Sequence, residues 1–348
     1  MEIAQVAPLY ESVPPKYYGG TERVVSHLTE ALVQKGHRVT LFASGDSDTS
    51  AQLVSVCPRA LRLDEDTVDT LAHHILLLER VRQSAEQFDV IHFHVDYLHY
   101  SLSRMNEWAH VTTLHGRLDL PDLQPLYREF DDIPVISISN AQRKPVPQAH
   151  WEETVYHGLP PTAYSAYTEP GDYLAFLGRI SPEKRVDYAI EIAERAGRPL
   201  KIAAKVDPVD EEYFETSIRP MLDRPHVEFI GEIGEGEKNE FLGRARALLF
   251  PIDWPEPFGL VMIEALAAGT PVIAFDRGSV PEVIDHGRSG FVVTSIEEAV
   301  EAVDQVSTLS RRECRQVFED RFPASRMADD YLRVYEQILA RHRLPLHQ

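Results

Sequence analysis

Two acidic residues, Glu256 and Glu264, bracket the start of an apolar stretch that is unsuited to charge. Between Phe258 and Gly269 every residue except Glu264 is apolar or glycine. This pattern predicts a helix without a polar face, which belongs in a protein interior. A buried carboxylate is costly unless it is paired or hydrogen-bonded. We therefore expect Glu264 to meet either the two hydroxyls of a vicinal diol or an arginine in a structural ion pair.

Two cations, Arg179 and Lys184, follow a strand-like segment in the sequence GRISPEK. A guanidinium fork and an ammonium at the carboxyl end of a strand can together hold a diphosphate. The alternative is a surface pair bonded to nearby acids such as Glu183. The spacing alone leaves both interpretations open.

Gly19 and Gly20 precede a predicted helix over residues 21–37, for which Thr21 is the expected N-cap and Gly36 the expected end. Glycines before a helix let backbone amides approach an anion, although a simple turn is the alternative. The chain has no GxGxxG fingerprint after a strand, which disfavours an NAD-linked dehydrogenase.

Histidines gather near two predicted strand ends, which raises the possibility of a metal site. His92 and His94 alternate on one strand and His99 follows, but no cysteine or acid completes a ligand set, so we predict no metal. His115, in TLHGR, is better placed to contact a ligand. The chain also has no G-x-S-x-G elbow and no evident Cys–His pair, so no protein nucleophile is predicted.

Strand-like and helix-like segments alternate twice along the chain, which predicts an α/β fold with two Rossmann-like doubly wound domains. The first domain is predicted over 1–165 and the second over 166–325, with a Pro- and Tyr-rich linker candidate at 158–172. A last helix is predicted within 326–348. Ligands of such folds bind at the carboxyl ends of the strands. The predicted strands are 2–7, 38–43, 89–93, 111–115, 134–138, 173–178, 199–204, 226–231, 247–251, 271–275 and 291–293.

The composition limits the classes of partner. The chain has 348 residues and a formal net charge of -20, with no basic cluster, which disfavours nucleic acid and anionic lipid. Two distant cysteines, no signal-peptide pattern and no membrane-length apolar run favour a cytoplasmic protein without an integral membrane segment.

Together these motifs resemble those of the family 4 nucleotide-sugar glycosyltransferases. The segment EPFGLVMIEALAAGTPVIAF is similar to the E-x7-E motif of that family, and GGTERVV, FDVIHFH, TLHG, GRISPEK and GSVPEVID follow in the family's order. The resemblance implies the GT-B fold, in which two Rossmann-like domains face each other across a cleft. It also implies that the last helix crosses back onto the first domain.

The resemblance assigns donor-binding roles to residues of the second domain. Glu264 is expected to bind the ribose hydroxyls and Glu256 to contact the transferred sugar. The backbone at Ile230 and Gly231 is expected near the nucleobase. The amides expected near the sugar and phosphates are those of Phe258, Gly259 and Leu260.

By the same resemblance, Arg179 and Lys184 hold the diphosphate, beside the loop of Gly19 and Gly20. His115 is expected near the 6-position of the sugar. Catalytic roles thus fall on Glu256, Arg179, Lys184 and His115, without metal or cofactor other than the nucleotide-diphosphate sugar itself.

Four features depart from the family pattern. Thr21 stands where many relatives have alanine, and Arg185 replaces a common glycine after the lysine. Ser279 stands where a second glycine is frequent, and AAKVD at 203–207 replaces a glycine-containing loop. The last two flank the expected donor site, so they bear on donor identity.

The resemblance implies a retaining hexosyltransferase with a front-face mechanism, for which a UDP-sugar donor and a soluble small-molecule or glycan acceptor are favoured. The acceptor is expected to contact loops 8–20, 44–50 and 94–105. Two alternatives are a retaining disaccharide phosphorylase of the same fold and a sugar-nucleotide binding protein without transferase activity. The sequence leaves the base, the sugar, the acceptor, the linkage and the oligomeric state open.

Overall fold

The structure is a computed structural model that describes residues 1–16 and 19–343. Tyr17 and Tyr18 of the predicted acceptor loop 8–20, and residues 344–348 of the predicted last segment, lie outside the described residues. The chain divides into two compact units, Met1–Gly158 with Ala324–Gln348, and Leu159–Pro323.

The first unit is built on a seven-stranded, all-parallel sheet with the strand order β3-β2-β1-β4-β5-β6-β7. Its strands are β1 (Glu2–Val6), β2 (Arg38–Phe42), β3 (Gln52–Val54), β4 (Val90–Phe93), β5 (His110–Thr113), β6 (Pro134–Ser137) and β7 (His150–Thr154). Its first helices are α1 (Gly20–Gln34), α2 (Thr70–Ser84), α3 (Tyr100–Arg104), α4 (Leu123–Glu129) and α5 (Asn140–Arg143).

Helix α1 starts earlier than predicted, and the prediction of Thr21 as its N-cap is wrong. The cap position is Gly19, in extended backbone and without a side-chain hydrogen bond to the helix. Gly36 follows the helix with a φ of 86°, the left-handed conformation in which glycine ends helices without strain. The buried face of α1, which includes Val24, Val25 and Leu28, anchors it on the core.

The second unit has a six-stranded, all-parallel sheet with the order β10-β9-β8-β11-β12-β13. Its strands are β8 (Leu174–Ile180), β9 (Leu200–Val206), β10 (Val227–Gly231), β11 (Ala247–Phe250), β12 (Val272–Phe275) and β13 (Gly290–Val293). Its helices are α6 (Val186–Arg195), α7 (Glu211–Tyr213), α8 (Arg219–Leu222), α9 (Glu235–Gly243), α10 (Leu260–Ala267), α11 (Val280–Val283), α12 (Ile296–Gln305) and α13 (Arg311–Arg321).

The apolar segment noted in the sequence is helix α10, and it is buried as predicted. Met262, Ile263 and Leu266 are fully removed from solvent, and each such burial is worth about 1.5–3 kcal/mol. Glu264, on the same helix, is only 3% exposed.

The last helix, α14 (Ala324–Arg343), belongs to the first unit and packs against α1. Its tyrosines Tyr331 and Tyr335 are fully buried and reach side chains of β1, β4 and β5. Parallel strands covered by helices in both units confirm the predicted fold class, two Rossmann-like α/β domains as in the GT-B fold.

Candidate active site

Four predicted site residues of the second unit lie near the carboxyl ends of neighbouring strands of one sheet, and Arg179, which was expected after its strand, is part of it. Arg179 lies on β8 and Lys184 follows it, while Glu256 and the helix that carries Glu264 follow β11, which pairs with β8. The carboxyl ends of parallel strands meet at one edge of a sheet, where α/β proteins bind ligands. The topology therefore brings these cations and acids together.

Glu256 and Lys184 form an ion pair through Oε2 of the carboxylate, with side chains 10% and 15% exposed. The indole Nε1–H of Trp254 donates to the same oxygen at 3.1 Å. The ammonium also lies 4.9 Å from the centroid of the Trp254 ring, a favourable cation–π arrangement. The other oxygen, Oε1, is engaged by none of the residues that the structure describes. The carboxylate is thus fixed by one oxygen and presents the second.

Glu264 has a lysine as its partner, not the arginine considered from the sequence. Nζ of Lys238, on α9, lies 3.2 Å from Oε1 of Glu264 and 3.1 Å from Oε2 of Glu235. The Glu264 side chain is 4% exposed, and within the described part of the chain nothing engages its Oε2. A buried charge needs such a pair to be tolerated. Lys238 therefore supplies that partner and leaves one acceptor oxygen on Glu264.

Arg179 is held between two acids. Its Nη2 donates to Glu183 at 2.9 Å, as the surface-pair interpretation expects, and its Nη1 lies 3.6 Å from Asp207. Asp207 also pairs with Lys205 at 3.0 Å. Lys205 and Asp207 belong to the segment AAKVD, which replaces a glycine-containing loop of the family pattern. The segment therefore places one cation and one anion at the carboxyl end of β9.

Arg185 adopts the left-handed conformation, with φ 52° and ψ 51°, at the position where the family pattern has glycine. A non-glycine residue pays roughly 1–2 kcal/mol for this conformation. The side chain offsets that strain, since its guanidinium lies 3.3 Å from the Tyr188 ring centroid and 2.7 Å from Asp187. The turn that presents Lys184 is therefore formed without the glycine.

The second glycine departure, Ser279, secures the backbone of the E-x7-E segment. Its amide donates to the carbonyl of Glu256 at 3.0 Å and its hydroxyl to the carbonyl of Phe258 at 2.9 Å. Gly278, beside it, has a φ of +55°, and a Cβ there would lie 2.3 Å from the Glu256 carbonyl oxygen. Only glycine fits, and the close approach holds Glu256 in place.

The backbone before α10 turns sharply at Gly259, the N-cap, whose φ is 78°. Phe258 is buried and Leu260 is the first helical residue, so the predicted amides stand at a helix N-terminus, which favours anions. At the end of β10, Gly231 has a φ of +85° and Ile230 is 42% exposed, an accessible apolar side chain at the carboxyl edge of the sheet.

In the first unit, Gly19 and Gly20 stand at the start of α1 after β1. A Cβ on Gly19 would lie 2.8 Å from Cβ of Pro15, so this turn has no room for a side chain. Gly19 precedes α1 as predicted, whereas Gly20 is the first residue of the helix, so the prediction that both glycines precede it is confirmed for Gly19 alone.

His115 follows β5 and is linked to other buried histidines. Its Nε2 lies 2.9 Å from Nδ1 of His94, and its ring stacks on that of His157 with centroids 5.3 Å apart. Burial lowers the pKa of His115 to about 3, so the ring is neutral at pH 7. A neutral imidazole offers one donor and one acceptor to its surroundings.

The described residues offer neither a cluster of metal ligands nor a helix that could span a membrane. Among residues 1–16 and 19–343, no three His, Cys, Asp or Glu side chains are grouped as a metal ion requires. Over the same residues, every helix is too short or too polar to cross a bilayer. Cys57 and Cys314 are both buried free thiols.

Three contributors to this site were missed from the sequence: Trp254, Lys238 and Asp207. Lys238 and Asp207 act through partners on another strand or helix, so no local motif reveals them. Trp254, two residues before Glu256, was the one available signal, because an indole N–H near a buried acid usually donates a hydrogen bond to it.

Comparison with known proteins shows the family of the chain. A family model described as Glycosyltransferase Family 4 matches residues 18–150, and one described as Glycosyl transferases group 1 matches residues 166–320. Two Rossmann-like domains, both matched by glycosyltransferase family models, define a transferase with the GT-B fold. The chain belongs to the family 4 glycosyltransferases, and it is a transferase enzyme.

Three similar proteins illustrate the relationship. The phosphatidyl-myo-inositol mannosyltransferase of Mycobacterium leprae is 26% identical over 369 residues, 97% of each chain. The crystal structure of AviGT4, a glycosyltransferase of avilamycin A biosynthesis, aligns with a TM-score of 0.76 at 25% identity over 98% of both chains. Anabaena HepE, solved in complex with UDP and glucose, aligns with a TM-score of 0.73 at 18% identity over 97% of this chain and 100% of HepE, a likeness of fold.

Proposed function

We propose that this enzyme transfers a hexosyl group from a nucleotide-diphosphate sugar to a small-molecule or glycan acceptor, with retention of configuration. The proposal rests on the contacts of the two glutamates of the E-x7-E segment. Each meets a lysine through one oxygen, and in each the other oxygen is engaged by no described residue. Such oxygens can accept hydrogen bonds from sugar hydroxyls.

The two glutamates contact different parts of the donor. Glu264, buried and paired with Lys238, is the acceptor for the ribose diol, while Glu256, paired with Lys184, contacts the transferred sugar. Each lysine supplies the ion-pair partner that a buried carboxylate requires.

Arg179 and Lys184 supply positive charge for the diphosphate. Arg179 is paired with Glu183 and Asp207, two single carboxylates that a diphosphate, with its higher charge and fork-matching oxygens, can displace. Lys184 has three donors, of which Glu256 takes one. Together with the amides before α10, these groups stabilise the departing diphosphate, so charge neutralisation needs no metal ion.

The proposed chemistry is a front-face displacement. The bond between the anomeric carbon and the diphosphate oxygen breaks, and the acceptor hydroxyl oxygen bonds to the same face of that carbon. The hydroxyl proton passes to the departing phosphate oxygen, so the step needs neither a protein nucleophile nor a general base. Retention of configuration follows from attack on the face that the leaving group vacates.

A UDP-sugar is the favoured donor. HepE, which shares the fold, was crystallised with UDP and with UDP-glucose. A thermal-shift screen with UDP-, GDP- and ADP-sugars tests the preference, because a ligand that binds only the native state raises its melting temperature. A larger shift with a GDP- or ADP-sugar would move the assignment to that base.

The decisive experiment substitutes alanine for Arg179 and for Lys184 and measures sugar transfer. Loss of such a charge costs about 2–4 kcal/mol of transition-state stabilisation, or about 30- to 1000-fold in rate. Lys201→Ala is the matched control, since Lys201 pairs with Glu228 on the surface of the same unit. Rates unchanged in both site variants would refute the diphosphate role.

Three further readouts separate the alternatives. The NMR coupling of the new anomeric proton reports retention or inversion, and inversion would refute the front-face step. Turnover that requires inorganic phosphate and a disaccharide, with no nucleotide, would identify a phosphorylase. A thermal shift without turnover of any donor would favour a binding protein.

A further inference from the structure

The segment AAKVD, residues 203–207, completes β9 and continues one residue beyond it. Strands β8 and β9 are parallel neighbours, and Arg179 is the register partner of Lys205. Register partners on neighbouring strands lie about 4.8 Å apart and project from the same face of the sheet. Two cations therefore stand side by side at the carboxyl edge of the second sheet, where their like charges repel each other unless an acid lies close.

The acid that lies close to both cations is Asp207. Its Oδ1 is 3.0 Å from Nζ of Lys205, and its Oδ2 is 3.6 Å from Nη1 of Arg179. The first distance is that of a hydrogen-bonded ion pair, whereas the second exceeds hydrogen-bond range. The carboxylate thus bridges the two side chains and holds the lysine more closely than the arginine.

These three side chains are open to solvent. The side chain of Arg179 is 30% exposed, and those of Asp207 and Lys205 are each 22% exposed. A ligand can therefore reach the guanidinium without any rearrangement of the core. An ion pair as open as that of Arg179 and Asp207 is weak, and a phosphate oxygen that hydrogen-bonds the guanidinium can replace it.

Further acids surround Arg179 in the free enzyme. Its Nη2 donates to Glu183 at 2.9 Å. Burial raises the pKa of Asp210, and the negative charges of Glu183 and Asp207 add to this rise, while Arg179 opposes it. Three carboxyl groups thus lie around one guanidinium, so an arriving diphosphate meets local negative charge. The diphosphate gains full use of Arg179 only when an acid moves aside.

We infer that Asp207 competes with the diphosphate for Arg179, and that Lys205 is a positioning residue that draws Asp207 aside when the diphosphate binds. The inference rests on the proposed function, which places the diphosphate at Arg179. Lys205 is already the closer partner of Asp207, so the exchange leaves the carboxylate paired. Lys205 therefore acts through Asp207 and needs no contact with the ligand.

The chemistry of the reaction gives such a competitor a use. The nucleoside diphosphate gains negative charge when its bond to the sugar breaks, so Arg179 and Lys184 hold this product more tightly than they hold the donor. A carboxylate that returns to Arg179 opposes the gain and favours release. Product release limits the turnover of many enzymes, so Asp207 exchanges some affinity for faster release.

The inference is tested by isothermal titration of the whole protein with UDP. Asp207→Asn should tighten binding by at least about 3-fold, because the competing charge is gone. Lys205→Met should weaken binding by a similar factor, because Asp207 then pairs with Arg179 alone. Neighbouring substitutions thus change the affinity in opposite directions. Weaker binding by Asp207→Asn would mean that Asp207 serves to orient Arg179, and would overturn the inference.

The double variant decides whether Lys205 acts through Asp207. In protein that carries Asp207→Asn, the added change Lys205→Met should alter the affinity for UDP by less than about 2-fold, because the acid that it positions is absent. An equal loss with and without Asp207 would mean that Lys205 attracts the diphosphate directly. That outcome would also overturn the inference.

Lys201→Met and Glu228→Gln are the matched controls for the change of charge. Lys201, at the amino end of β9, pairs with Glu228 of β10 at 3.0 Å, so the same two charges are removed away from Arg179. Both controls should bind UDP within about 2-fold of the unsubstituted protein. If the unsubstituted protein binds none of UDP, GDP, ADP and inorganic diphosphate, the proposed function fails. If it binds one of them, the series is measured with that ligand, and effects of the wrong sign refute this inference alone.

Discussion

Acid should destabilise the first unit steeply, because it buries a set of neutral histidines. Burial lowers the pKa of each of them below its ordinary value, while in the unfolded chain each titrates near 6.5. The unfolded state therefore binds more protons, and stability falls as pH drops through about 6.5. The pKa is lowered furthest for His92, His94, His99, His115 and His157, and burial also lowers it for His74 and His110.

The size of this loss of stability follows from the difference in proton binding between the folded and unfolded states. Between pH 7.5 and 5.5, one histidine that stays neutral in the native state lowers the free energy of unfolding by about 1.4 kcal/mol. Five such groups give about 7 kcal/mol, comparable with the whole stability of a typical domain, about 5–15 kcal/mol. Buried acids such as Glu22, whose pKa burial raises, offset a part of it.

Urea unfolding at pH 7.5, 6.5 and 5.5, followed by tryptophan fluorescence, measures this loss. Trp108 and Trp151 report the first unit, and Trp254→Phe removes the reporter of the second. As a control, His99→Gln should remove about 1.4 kcal/mol of the pH dependence. A fall of less than about 2 kcal/mol in the first unit over this range would refute the assignment of five neutral histidines.

Three further predictions concern the second unit. Lys238→Met leaves Glu264 as a buried carboxylate without its partner, which should cost about 3 kcal/mol in urea unfolding and weaken binding of the proposed nucleotide-sugar donor. Gly278→Ala drives a Cβ into the Glu256 carbonyl at positive φ, so the free energy of unfolding should fall by about 1–3 kcal/mol. Trp254→Phe removes the N–H donated to Glu256 and should lower kcat/KM about 10-fold with little change in melting temperature. Unchanged values in these assays would contradict the respective contacts.

The fold was largely predictable from the sequence because most strands are buried on both faces. Such strands are short apolar runs, and all eleven predicted runs overlap observed strands. The two strands that were missed, β3 (Gln52–Val54) and β7 (His150–Thr154), are the two edges of the first sheet. Their residues are half-buried or exposed, so they lack the apolar signal that burial imposes.

The site was predictable where a residue conflicts with its surroundings. Glu264 stood out because an acid in an apolar helix needs an explanation, and the structure supplies a lysine from α9. Lys238 itself gave no signal, since a lysine in a polar helix is ordinary. The same holds for Gln5, whose partner Tyr335 is 330 residues away. Contacts of this range depend on topology, which a local motif does not contain.

The placement of α14 makes the first unit discontinuous in the chain. The second unit, Leu159–Pro323, is an insertion whose ends lie side by side, with the Leu159 amide donating to the Phe322 carbonyl at 2.9 Å. During synthesis the ribosome must therefore release nearly all of the chain before Tyr331 and Tyr335 can reach Gln5, His92 and Thr113. The domain that begins first is completed last, and until then those polar groups of the nascent protein depend on water or on chaperones.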